Sequence, residues 1–168
     1  MIAPGHLAIG FAAKPATQKA PIWVLLVAAE LLDLINFPLQ ALKIENYPIG
    51  AVNFVNGLQM ASPAHMPWSH SLFMAVVWSL LAAGIAYIAY KDRKTSSIIG
   101  MVVFSHWFLD LIVHPPHLPL FFNSSPTVGL GLWTSGPGLI FSIVLEFALL
   151  ATGIYFYLAS RKKESSNS

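Results

Sequence analysis

Four long apolar stretches, residues 21–37, 69–90, 96–114 and 137–159, alternate along the chain with shorter polar breaks. At about 1.5 Å of rise per residue each approaches or exceeds the roughly 30 Å of hydrocarbon in a bilayer, so each is expected to be a membrane-spanning helix. Residues 1–13 are equally apolar but too short to cross, and are expected to form a half-helix or re-entrant segment ending at Lys14 and Pro15. Pro21 opens the first span, where a helix tolerates proline, and Pro38 is expected to stop or kink it. Ser69 is the expected N-cap of the second span, Lys91 to Lys94 form a tight turn, and Pro115 and Pro116 close the third.

Residues 39–68 lose the apolar periodicity and gather Lys43, Glu45, Asn46, Pro48 and Gly50, which predicts an extramembrane loop. Residues 116–135 are rich in Pro, Gly and Ser, with aromatics suited to a membrane interface. The expected fold is therefore all-α: a polytopic membrane bundle of four transmembrane helices plus a short N-terminal half-helix. It forms one domain over residues 1–160, with a disordered basic and polar tail at 161–168.

Composition agrees. Of 168 residues 56% are hydrophobic and only 10% charged, where a soluble domain carries about a quarter charged residues. A net charge of +2 could suggest a nucleic-acid binder, but the basic residues sit in small clusters beside apolar runs, as topology signals do. Lys14, Lys19, Lys91, Arg93, Lys94, Arg161, Lys162 and Lys163 fall on one side of a four-span arrangement and Lys43 on the other, which predicts that the first side, and the C-terminus with it, is cytoplasmic. With no cysteine, disulfides and thiolate ligands are excluded. Residues 1–13 lack a basic start and are broken by Pro4, Gly5 and His6, so no cleavable signal peptide is expected.

The polar residues inside the spans change the picture most. His106, Asp110 and His114 recur every four residues and share one face of the third span, a spacing at which a His and a carboxylate can reach one ion. Glu30 and Asp33 lie in the first span, His70 opens the second, and Glu146 sits in the fourth. A carboxylate at the centre of a transmembrane helix costs about 2.5–3.5 kcal/mol, and no span supplies a Lys or Arg to offset four of them. Protons, histidines or a bound cation remain as partners. Imidazole and carboxylate donors without thiolate suit zinc, and also manganese or iron. A divalent ion there would acidify water for attack on an acyl or phosphoryl centre, with a spare acid or imidazole as general base.

Several short motifs accompany this constellation: Gly5-His6-Leu7; Leu32-Asp33-Leu34-Ile35; His65 followed by Ser69-His70-Ser71-Leu72; and Ser105-His106 with Asp110. In this combination the chain resembles the YdjM-like membrane-bound metal-dependent hydrolases of bacteria and archaea. The resemblance implies metal-dependent hydrolysis at the bacterial inner membrane. His6, Asp33, His70, His106 and Asp110 are then the expected metal ligands and His65 an expected catalytic residue, while Glu30, which matches no family motif, is an expected catalytic acid–base residue as the spare acid beside them. A lipid-like or membrane-delivered substrate near the outer leaflet is expected from the location of these groups. Two positions depart from the family pattern: Ile35 stands where a second acid is common, and Met66 where an arginine often follows the first histidine.

Rival classes are a transporter or sensor relaying protons or divalent cations, and a non-catalytic subunit with a structural metal. A relay needs a polar path to both faces, yet residues 22–29, 82–89 and 98–103 contain no acid or imidazole. A serine hydrolase is disfavoured because no G-x-S-x-G elbow occurs, and no phosphate-cradling glycine loop is present.

Overall fold

The computed structural model describes residues 1–62, 64–122 and 124–166, with side chains to Lys163. Six helices carry the architecture: α1 (Ala3–Ala13), α2 (Ile22–Ala29), α3 (Leu31–Ala41), α4 (Leu72–Tyr90), α5 (Arg93–Val113) and α6 (Gly136–Ser166). Two small antiparallel ribbons lie in the connections, β1 (Val52–Asn53) with β2 (Gly57–Leu58), and β3 (Leu118–Pro119) with β4 (Thr127–Val128). Among the described residues, α4, α5 and α6 are each long and apolar enough to cross a membrane, and α2 with α3, bent by 52° at their junction, is so only when the two are taken as one broken element.

The central helix is α5. Of its most apolar window 56% is buried, against 17% in α4 and 22% in α6. Leu80, Ile85 and Ile88 of α4 and Phe141, Val144 and Phe147 of α6 face outward, where only lipid would accept them. Leu25, Ala29, Leu32, Ala75 and Val103 form the apolar core between α2, α3, α4 and α5. The short α1 is held within the bundle by close backbone approach to α6, since a Cβ at Gly153 would stand 2.4 Å from the Ala8 carbonyl oxygen.

Polar chemistry fixes the turn between α4 and α5. Lys91 adopts a left-handed φ of 50° to end α4, and Asp92 caps α5 by accepting from Thr95 N at 2.8 Å. Lys19 reaches Asp92 at 3.2 Å and Thr17 Oγ1 pairs with Thr95 Oγ1 at 2.8 Å, tying the segment before α2 to the same end.

Three local expectations need correction. The first span breaks at Glu30 and runs through Pro38 to Ala41. Proline inside α3 forfeits its own ladder bond, whereas the break at Glu30 coincides with a tertiary partner for the Ala29 carbonyl, described below. Ser71, rather than Ser69, caps α4 by accepting from Met74 N at 3.2 Å. The final helix continues through Arg161–Lys163 to Ser166, where a disordered tail was expected; residues 167 and 168 lie outside the described ones.

Candidate metal centre

Four elements bring their polar side chains to one buried place beside α5. Asp110, 2% exposed, is the hub. Its Oδ2 lies 3.4 Å from His106 Nε2 and 3.5 Å from His70 Nε2. Its Oδ1 lies 3.4 Å from His6 Nε2 and 3.3 Å from His114 Nε2, and also contacts the Met1 amine. From the bent span Asp33 Oδ1 approaches His70 Nε2 at 3.3 Å and His106 Nε2 at 3.7 Å. The His6 ring stacks flat on His106, with centroids 3.6 Å apart and planes 1° from parallel.

The outer hydrogen bonds settle which nitrogen of each key histidine points inward. His106 Nδ1 lies 2.7 Å from the Ala29 carbonyl oxygen at the helix break, and a carbonyl can only accept, so Nδ1 carries the hydrogen. In the neutral ring Nε2 is then a bare acceptor; it is buried and has no hydrogen-bond partner. His70 is fixed similarly. Its Nδ1 lies 2.7 Å from Ser69 Oγ, and that hydroxyl sits 2.6 Å from Glu45 Oε2. Because the serine hydrogen goes to the carboxylate, Ser69 Oγ must accept from His70 Nδ1, and His70 Nε2 is left with its lone pair toward Asp33 and Asp110.

Two imidazole lone pairs therefore face two carboxylates with no hydrogen between them. Acceptors opposed in this way require a positive species, either added protons or a cation. A tetrahedral ion with ligands at about 2.0–2.1 Å has ligand–ligand edges of about 3.4 Å. The four contacts joining Asp33 Oδ1, His70 Nε2, His106 Nε2 and Asp110 Oδ2 measure 3.3, 3.5, 3.4 and 3.7 Å. His70, His106 and Asp110, and likewise His6, Asp33 and His106, offer donor atoms close enough to share one ion. These residues fit a divalent metal.

Other expected residues are placed differently. Glu30 sits at the break between α2 and α3 with a buried Oε1 that has no hydrogen-bond partner. His65 is exposed in the loop, its backbone paired with Asn46, and does not join the cluster. Glu146 is fully buried, accepting from Ile2 N at 3.1 Å through Oε2.

Three residues carry more than their sequence context suggested. His114, 7% exposed, contacts Asp110 and extends to Tyr47 Oη at 3.3 Å and His117 Nε2 at 3.1 Å; its i, i+4 spacing from Asp110 was the available signal. Burial lowers the pKa of His117 to about 4, helped by the neighbouring His114. Glu45, 3% exposed, accepts from Trp68 N, Ser69 N, Ser69 Oγ and Asn36 Nδ2 at 2.6–3.0 Å. Neither Glu45 nor the supporting role of Ser69 has a local signal, because both arise from contacts across the loop.

A small bundle of membrane-spanning helices around a buried His/Asp cluster able to hold a metal ion is the class of protein these features define. The family model described as YdjM inner membrane protein matches residues 1–164, nearly the whole chain, and the chain belongs to that family. Among curated proteins and solved structures none matches it.

Proposed function

We propose that this membrane protein hydrolyses a lipid-like, membrane-delivered substrate with a divalent metal, zinc before manganese or iron, held by Asp33, His70, His106 and Asp110 with His6 alongside. The observation that carries the proposal is the ring of four opposed acceptors joined by contacts of 3.3–3.7 Å, two of them histidine nitrogens whose hydrogens are engaged on the far side. Such an ion polarises an acyl or phosphoryl oxygen and acidifies a water.

The chain's own residues supply the rest. Ala29 and the Ser69–Glu45 pair lock the two imidazoles in orientation. Asp33, 48% exposed in its side chain, leaves one side of the cluster open to a reactant, while the surrounding apolar helices exclude bulk water. In the hydrolysis, water oxygen bonds to the acyl or phosphoryl centre, the C–O or P–O bond to the leaving group breaks, and the leaving oxygen receives the proton the water gives up. Glu30, one turn before Asp33 and with an unpartnered buried oxygen, is the proposed carrier of that proton. His65 is given no step. Most basic residues gather at the opposite end of the bundle, which by the positive-inside rule supports a cytoplasmic C-terminus and a cluster in the outer half of the membrane.

Elemental analysis of detergent-purified protein, beside a His106→Ala/Asp110→Ala double variant, tests the metal. At least one equivalent of a divalent transition metal is expected in the first and none in the second. Reconstituted protein should then release product from a panel of phospholipids and acyl esters, and chelator should stop it. Equal metal content in the two proteins, or turnover indifferent to chelator, would overturn the proposal.

A further inference from the structure

Beside the Asp110 cluster the fold encloses a cavity of about 520 Å³. One end of it is formed by Asp33, His70, Asp110 and His114. Its side walls are mostly hydrocarbon, with Leu58 from β2, Met66 from the following loop, Trp133 before α6, and Leu139 and Ile143 from α6 itself, while Asn36, Tyr47 and Glu146 add polar groups to the lining. Of the remaining apolar lining, Met1, Ile2, Ala3, Ile49, Val52 and Phe54, the last three are exposed by 67, 56 and 68%. These three therefore form the mouth, on a ribbon that lies outside the spanning helices.

A mouth of bare Ile, Val and Phe is costly in water, at about 25 cal/mol per Å² of apolar surface, and favourable against lipid. A water-soluble substrate would leave the walls without complementary surface, and a plain hydrocarbon would bring nothing to the ionisable end. The shape suits a molecule with both parts, entering from the bilayer. At roughly 30 Å³ for a water-sized group, the cavity holds on the order of seventeen such groups, enough for one acyl chain.

We propose that the cavity seats a single hydrocarbon chain of an amphiphilic substrate, which draws the ester or phosphoester at the head of that chain against Asp33, His70 and Asp110. The placement of the scissile bond rests on the hydrolase reading above; the chain seat does not. One-chain amphiphiles, or one chain withdrawn from a diacyl lipid, are the class it takes.

Trp133 in the wall provides the test. Protein in nanodiscs of unbrominated phosphatidylcholine is titrated with a lysophosphatidylcholine whose acyl chain carries bromine, which quenches tryptophan on contact. The quenching belonging to Trp133, taken as the difference from a Trp133→Phe variant, should saturate near one equivalent. Leu139→Phe and Ile143→Phe each fill the cavity, and either one that retains the wild-type Tm and metal content should bind the probe at least tenfold more weakly. Quenching that never saturates, or is unchanged in both filled variants, would refute the chain seat. Metal content measured on the same samples separates the two ideas: saturable quenching in metal-free wild type sinks the hydrolase reading and leaves the seat standing, and metal without saturable quenching does the reverse.

Discussion

The two ends of the bundle treat a carboxylate in opposite ways. At the basic end Asp92 meets water, the Thr95 amide and the Lys19 ammonium, with solvent absorbing whatever charge remains. At the other end Asp110 is shut away from water, and its partners are the Met1 amine and histidines, two of which turn lone pairs toward it. An exposed pair of the first kind contributes little, while breaking a buried constellation of the second kind leaves uncompensated charge and costs about 3–5 kcal/mol. The same residue type thus serves as a dispensable fastening in one place and as a demand for a cation in the other.

The contrast breaks most directly at Asp110. Asp110→Ala should destabilise the protein by about 3–5 kcal/mol in detergent unfolding, and bound metal should fall to background by elemental analysis. If Asp110→Ala kept both, the buried end would be no different from the exposed one.

Glu45→Gln comes next. An amide cannot accept from Ser69 N, Trp68 N and Ser69 Oγ at once, so about 1–3 kcal/mol of stability should be lost. Metal affinity measured by calorimetric titration should drop about 10–100-fold through the loosened His70. A stability loss without any affinity loss would make Glu45 a loop anchor alone.

At the basic end Lys19→Ala should leave Tm within experimental scatter, and added salt should change the wild type as little. Asp92, whose pKa the Thr95 hydrogen bonds and Lys19 lower to about 2, contributes fully above the ordinary carboxylate value near 4. That contribution is lost as pH falls toward 2.

His117 gives the smallest effect. With its pKa lowered from 6.5 to about 4, the fold binds fewer protons than the unfolded chain between those values, so stability declines as pH falls through that window. His117→Gln should make the slope of Tm against pH shallower between 6.5 and 4. An unchanged slope would mean that the histidine is solvated.

The spans were legible because their signals are local: run length, flanking lysines, and acids in apolar surroundings with no basic partner. The cluster around Asp110 was legible through the i, i+4 spacing and the depth of the acids. What escaped depends on tertiary contacts. Pro38 looks like a helix breaker, but the break falls at Glu30, where the Ala29 carbonyl meets His106 from 77 residues away. Ser69 reads as the cap, but its hydroxyl is taken by Glu45, 24 residues earlier in a stretch without periodicity, and Ser71 caps instead. Periodicity reports the face a helix buries and is silent about which loop side chain folds back over a motif.

Asp33 differs from its companions in one further respect: 48% of its side chain is accessible, while Asp110, His70 and His106 show 4% or less. Among the described residues of the centre, the first span thus supplies the one that reaches accessible surface. An ion or water can reach the centre beside that carboxylate, so loading and stripping should proceed with the helices still assembled. Exchange rates rather than unfolding rates should set how long the centre keeps its occupant.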